Sequence, residues 1–93
     1  MSLYRLKFTK QSNKEWSKLD YTIKLHLQKK LRKRLQNPRI QSDKLSGYDD
    51  IYKIKLRSSG FRLAYEVKDE EIVVLVLKVG KRDKFYDNLQ KFL

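Results

Sequence analysis

The chain is 93 residues long and carries 23 Lys and Arg against 11 Asp and Glu, a net charge of +12 at pH 7. That length suits one domain, residues 1–93, with a single modest core, and the charge speaks of partners: nucleic acid first, an anionic membrane surface second, an acidic protein beside either. The lack of cysteine excludes disulfides and thiolate metal sites, no apolar run approaches the roughly 20 residues of a membrane span, and residues 1–5 lack a signal-peptide core, so a soluble cytoplasmic protein is expected.

Over residues 3–8, Tyr4, Leu6 and Phe8 alternate with Arg5 and Lys7, the period of a strand. Ser12-Asn13-Lys14-Glu15 fits a capping box and predicts a short helix over 10–18, anchored by Trp16 and Leu19. Asp20 is placed to cap a longer helix in which Ile23, Leu27, Leu31 and Leu35 recur every four residues as one apolar stripe. Lys24, Lys29, Lys30, Arg32, Lys33 and Arg34 lie between them. Their side is either the ordinary solvated face of an amphipathic helix or an extended contact for a phosphate backbone. A basic amphipathic helix can also lie on a membrane, but this stripe is needed to cover a sheet. Asn37-Pro38 ends the helix, because proline disfavours helical geometry in the residue before it. Residues 39–50 read as a connector with a turn at Ser46-Gly47.

The stretch from Ile51 to Val67 reads as two strands around a tight turn. Tyr52, Ile54 and Leu56 alternate with Lys53, Lys55 and Arg57; after Ser58-Ser59-Gly60, Phe61, Leu63, Tyr65 and Val67 alternate with Arg62, Ala64 and Glu66. One face is apolar, and if the apolar faces coincide Arg62 joins the three cations of the first strand. Like charges opposed across a sheet destabilise it. The set is therefore either a site for a polyanion or the solvated outer face of an antiparallel sheet. Asp69-Glu70-Glu71 makes the next turn, and the apolar run 72–77 reads as a strand buried on both faces and interior to the sheet, ended by residues 78–82. Phe85, Leu89 and Phe92 suggest a short helix over 83–93. The order β-α-α-β-β-β with a short C-terminal helix predicts an α+β fold: an antiparallel β-sheet covered on one face by an N-terminal helical hairpin, with the opposite face left to Lys53, Lys55, Arg57 and Arg62.

His26 is the only histidine. It has no partner in ligand spacing, and the acidic clusters flank turns, so neither a metal nor any other cofactor is expected. A Ser-His triad and a glycine-rich phosphate loop are equally unsupported. An array of cations with tyrosines can still act on RNA. The ribose 2′-OH attacks its own phosphodiester, the 5′-oxygen leaves, and arginines stabilise the charge that builds between. A lysine serves as base or acid if its pKa falls from about 10.4 toward neutrality, and neighbouring cations push that way.

Five stretches carry a resemblance over nearly the whole length: Lys14-Glu15-Trp16, Asn37-Pro38-Arg39-Ile40, Lys44-Leu45-Ser46-Gly47, the run from Tyr52 to Leu63, and Val79-Gly80-Lys81-Arg82. On these the chain resembles the RelE-type toxins of the RelE/ParE superfamily, ribosome-dependent mRNA interferases of type II toxin–antitoxin pairs. The resemblance implies a microbial ribonuclease-type fold, metal-independent endoribonuclease cleavage of mRNA in the ribosomal A site, and inhibition by a cognate RelB-type antitoxin. It implies catalytic roles for Lys53, Lys55, Arg62, Arg82 and Tyr86. The lysines and arginines would supply proton transfer and phosphate stabilisation, and Tyr86 would contact or stack on the mRNA. Lys29, Lys30, Lys33, Arg57 and Lys81 are the expected contacts to RNA and the ribosome. The chain departs from the family at Ser46, where a basic loop residue is usual, and in the segment from Arg82 to Tyr86, which is two residues shorter than in the best-known members. The alternative is a non-catalytic basic module that binds RNA or an acidic protein.

Overall fold

The computed structural model describes residues 3–82 and Phe85. Its elements are β1 (Arg5–Phe8), α1 (Lys10–Ser17), α2 (Tyr21–Gln36), a single 3-10 turn at Gln41–Asp43, β2 (Ile51–Leu56), β3 (Phe61–Lys68) and β4 (Val73–Lys81). The strands form one mixed α+β sheet in the order β1-β4-β3-β2. The three later strands make the expected antiparallel meander, while β1 pairs with β4 in parallel. The helix expected over 83–93 falls, Phe85 apart, outside the described residues. Among the described residues no helix is long and apolar enough to cross a membrane.

Strand β4 is interior, as its apolar run predicts, but it continues to Lys81 instead of ending near Lys78. A bulge explains how. The register against β3 slips between Ala64 and Tyr65, which face Lys78 and Val76, so Leu77 is the extra residue. Val74 and Val76 face the main core before the slip and Val79 after it. The parity of the strand is thereby reset, and Gly80 is brought opposite Arg62.

Strand β1 covers β4 only from Val73 to Val76. Beyond that, α1 takes over the exposed edge with its side chains. Thr9, not Ser12, caps the helix, accepting a hydrogen bond from the Ser12 N–H at 3.0 Å. This corrects the capping-box expectation. Ser12 is fully buried and its hydroxyl donates to the Val76 carbonyl at 2.7 Å. Glu15 accepts from the Val79 N–H at 3.0 Å and pairs with the buried Lys78 at 3.7 Å. An edge that would otherwise present unpaired backbone groups is closed in this way.

Asp20 caps α2 as expected, accepting from Thr22 N–H at 3.3 Å. Leu27 and Leu31 are buried against Tyr52, Ile54, Leu56, Leu63 and Tyr65, with Ile23 and Leu35 half-buried beside them. The other sheet face is not left wholly to cations. Leu45, Ile51, Ala64, Leu77 and Phe85 form a second apolar cluster there, with Tyr48 and Leu75 against it. The connector and Phe85 thus cover one end of that face, and the cations keep the hairpin end.

At the end away from the hairpin tip, Arg39 pairs with Asp69 at 2.7 Å and Asp50 at 2.9 Å, and Tyr4 donates to Asp69 at 2.7 Å. The Tyr4 hydroxyl and then Arg39 hold the Asp69 carboxyl below its usual 3.8. A carboxyl lowered by folding stabilises the fold above its unfolded pKa and loses that contribution as pH falls through the folded value. Tyr4→Phe is therefore expected to melt lower than the unaltered chain at pH 7, with the gap shrinking as the buffer is taken to about pH 2. Thermal melts across that range check this, and a gap independent of pH would contradict it.

Candidate functional site

The hairpin of β2 and β3 sets cations from two strands side by side. Lys55 pairs with Arg62 and Lys53 with Ala64; β4 extends these rows with Gly80 and Lys78. Directly opposed residues share a face, with Cβ atoms about 4.5–5.5 Å apart. Lys53, Lys55 and Arg62 are consequently one patch, and all three are half-buried. Arg57 is exposed at the turn, which Gly60 closes at a φ of +76°, a value that favours glycine. The end of β4 reaches the same place: Arg82 N–H donates to the Gly60 carbonyl at 2.8 Å, and Lys81 Nζ stands 5.9 Å from the Phe61 ring centre. Three strands thus converge Lys53, Lys55, Arg57, Arg62, Lys81 and Arg82 at one end of the sheet. Tyr86 lies outside the described residues.

The crowding has an electrostatic result. The charge of Lys53 above all, then loss of solvent, then Arg62 and Arg57, push the Lys55 ammonium below its ordinary pKa, with Asp43 opposing. Replacing Lys53 by Met should move the Lys55 titration upward, and by more than Arg57→Met does. Side-chain 13Cε NMR of lysine-labelled protein reads this directly, and an unmoved Lys55 in both variants would contradict it. Arg62 is under a different stress. Its Nε and Nη1 are shielded from solvent and have no hydrogen-bond partner among the described residues. Unmet buried donors are unfavourable, and an anionic oxygen would satisfy them. Among the described residues, a Cβ at Gly80, opposite Arg62, would meet only Phe85 Cδ1, at 3.9 Å.

Arg34 was not expected here. It reads as one more cation on the solvated face of α2, yet its guanidinium turns inward. Nη1 donates to the Lys53 carbonyl at 3.2 Å and the Tyr65 hydroxyl at 2.9 Å, and Nη2 pairs with Asp43. The Tyr65 hydroxyl donates onward to the Pro38 carbonyl at 2.6 Å. Arg34 therefore ties α2 and the connector to β2 at the position of Lys53. Lys29, Lys30 and Lys33 are exposed on α2 as expected, across an open cleft of about 520 Å³ from Lys55 and Arg57. His26, remote from the cationic strand in sequence, lines the same cleft. Among the described residues no three His, Cys, Asp or Glu side chains converge in a manner that could hold a metal ion.

A family model for the ParE toxin of type II toxin–antitoxin systems (parDE) matches residues 6–86. Over 81 residues the chain is 53% identical to the mRNA interferase toxin RelE of Escherichia coli strain K12, which covers 87% of this chain and 85% of the relative. The chain belongs to the ParE/RelE toxin family. Solved structures agree. The isolated E. coli RelE toxin superposes with a TM-score of 0.83 at 46% identity, covering 97% of this chain and 99% of its own. The toxin in the intact E. coli RelBE toxin–antitoxin complex gives 0.82 at 54% identity, covering 84% of this chain and 95% of that one. The stretches that carried the resemblance in the sequence now have places in the family fold: Glu15 closes the edge of β4, Pro38 receives the Tyr65 hydroxyl, and the run from Tyr52 to Leu63 is the hairpin itself.

Proposed function

We propose that this protein is a ribosome-dependent endoribonuclease that cuts mRNA in the ribosomal A site and so inhibits translation in the cytoplasm. The observation that carries the proposal is the cross-strand pair of Lys55 and Arg62, with Lys53 next to it and Arg82 held at the same end through Gly60. In this reading Lys53 or Lys55 takes the proton of the ribose 2′-OH. The oxygen attacks the adjacent phosphorus, the bond from phosphorus to the 5′-oxygen breaks, and the products are a 2′,3′-cyclic phosphate and a 5′-hydroxyl. A protonated group of the same cluster returns a proton to the leaving oxygen. Arg62 and Arg82 stabilise the charge on the phosphorane, where preorganised donors contribute most. Tyr86 contacts the message.

The ribosome supplies the geometry. Among the described residues the cluster has no carboxylate member, so holding the 2′-OH in line with its leaving oxygen, where proximity effects are large, falls to the ribosome. Lys29, Lys30, Lys33, Arg57 and Lys81 would meet RNA phosphates. A RelB-type antitoxin is the proposed protein partner, drawn to the +12 chain by charge. The name of the 53% identical relative and the RelBE complex support both readings. Purified ribosomes programmed with a defined message test the function: cleavage within the A-site codon is expected, and rapid cutting of naked RNA without ribosomes would overturn the dependence. Binding to ribosomes without any cleavage would instead favour the non-catalytic module.

A further inference from the structure

Strand β2 carries Lys53 and Lys55, yet it ends the sheet order β1-β4-β3-β2 and has a strand on one side only. Across its pairing with β3, Lys55 stands opposite Arg62, and like charges directly opposed destabilise a pair of strands. The cations therefore push an edge strand away from its neighbour at the place where chemistry needs their spacing kept. On the other side the connector ties the start of β2: Leu45 N–H donates to the Ile51 carbonyl at 2.9 Å, and Lys44 bridges to Tyr52. At Lys53 the tie is a side chain.

Arg34 supplies that tie from the last turn of α2. Its Nη1 donates to the Lys53 carbonyl at 3.2 Å and the Tyr65 hydroxyl at 2.9 Å, so one nitrogen spans β2 and β3. Nη2 pairs with Asp43 of the connector. Tyr65 is itself fixed, with its ring stacked on Tyr52 at 5.8 Å and its hydroxyl donating to the Pro38 carbonyl at 2.6 Å. The Arg34 side chain is only 15% exposed. A cation withdrawn from water to that degree needs partners and a counter-charge, and the two oxygens and Asp43 provide them. The planar fork is what lets two nitrogens serve all three; a lysine ammonium is a single point of charge. Alternation along β2 sends the Lys53 side chain to the sheet face opposite Tyr52 and Ile54, which pack in the core under α2. Arg34 thus holds Lys53 from behind, by its backbone.

We propose that Arg34, steadied by Asp43, is a positioning residue for cleavage: it fixes the β2 backbone at Lys53 and so sets where the Lys53 side chain meets the substrate. The inference rests on the RNA-cleaving reading above and adds to it a residue that does not touch the RNA.

The test is single-turnover cleavage on programmed ribosomes by the full chain, with rate and half-saturating protein concentration measured separately. Arg34→Lys keeps the charge and loses the fork. A misplacement of about 1 Å can cost on the order of 10²-fold in rate, so a loss of about 10–10²-fold at saturation is expected, with half-saturation unchanged. The same substitution made in the Lys53→Ala variant should cost nothing further, because the group it positions is gone; such non-additivity is the mark of residues acting as one unit. Asp43→Ala should repeat the pattern more weakly, since Arg34 keeps its other two acceptors, and it serves in place of Arg34→Lys should that variant fail to fold. An equal loss with and without Lys53 would overturn the proposal and make Arg34 a general support of the fold. A raised half-saturation at a normal rate would also overturn it, by making Arg34 an RNA contact. Should Lys53→Ala cut normally, or the unaltered chain not cut at all, it is the RNA-cleaving reading that fails. The backbone 13C′ resonance of Lys53 then still decides the clamp: it should move in Arg34→Lys and stay in Arg32→Lys, and an unmoved resonance in both would remove the clamp as well.

Discussion

Arg62→Met is expected to slow mRNA cleavage severely while leaving the fold at least as stable as before. The loss follows from the role of its guanidinium: removing one preorganised donor to a developing oxyanion typically lowers the rate 10²–10³-fold, roughly 2.7–4 kcal/mol. The gain follows from the state of the same group without RNA. Two of its nitrogens are shielded and have no partner among the described residues, and Lys55 is directly opposite. An unmet buried donor costs about 1–3 kcal/mol, which a methionine of similar reach removes. Stability and activity thus part company, as they do where a site holds groups in readiness for a ligand. Single-turnover cleavage and thermal melts on the same preparation check both halves. A variant that loses melting temperature in step with activity would show that Arg62 is structural.

Leu31→Ala should bring the largest loss of stability. The side chain is 1% exposed, at the centre of the apolar stripe that seats α2 on the sheet. Leucine-to-alanine changes at such sites cost about 2–5 kcal/mol, the spread reflecting how far the cavity collapses. For a domain of this size that is a fall of about 10–20 °C or more in melting temperature. The site feels it as well, because α2 carries both the lysines of the cleft and Arg34, which holds the Lys53 carbonyl. Urea titration gives the free energy, and a cost below about 1 kcal/mol would place Leu31 outside the main core.

The hairpin was legible because two local signals agree there. Strict alternation assigns the faces, and the short turn with Gly60 fixes which residues oppose each other; Lys55 and Arg62 follow from counting outward. The stripe of α2 and its end at Asn37-Pro38 were legible for the same reason. What escaped depends on distant partners. Nothing near β1 says that it joins β4 in parallel, and the continuous apolar run of β4 hides the bulge at Leu77, since parity cannot be read where every residue is apolar. Arg34 looked solvated because its neighbours are cations; its partners Asp43 and Tyr65 lie 9 and 31 positions away. His26 reaches the cleft only because α2 packs across β2. Ser12 passed for a helix cap because a serine three residues before a glutamate reads that way locally, whereas its hydroxyl serves a carbonyl of β4.

The central claim is that the cationic strand performs the chemistry and does not merely dock. Single-turnover cleavage on programmed ribosomes, at concentrations of protein that saturate binding, separates the two. Lys53→Ala and Lys55→Ala are each made, with Lys33→Ala for comparison. The account predicts that the strand variants lose the chemical step far more than they lose ribosome affinity, and that Lys33→Ala weakens binding modestly and mainly at higher salt. Normal cutting rates in both strand variants, once bound, would contradict it and leave the strand a docking surface.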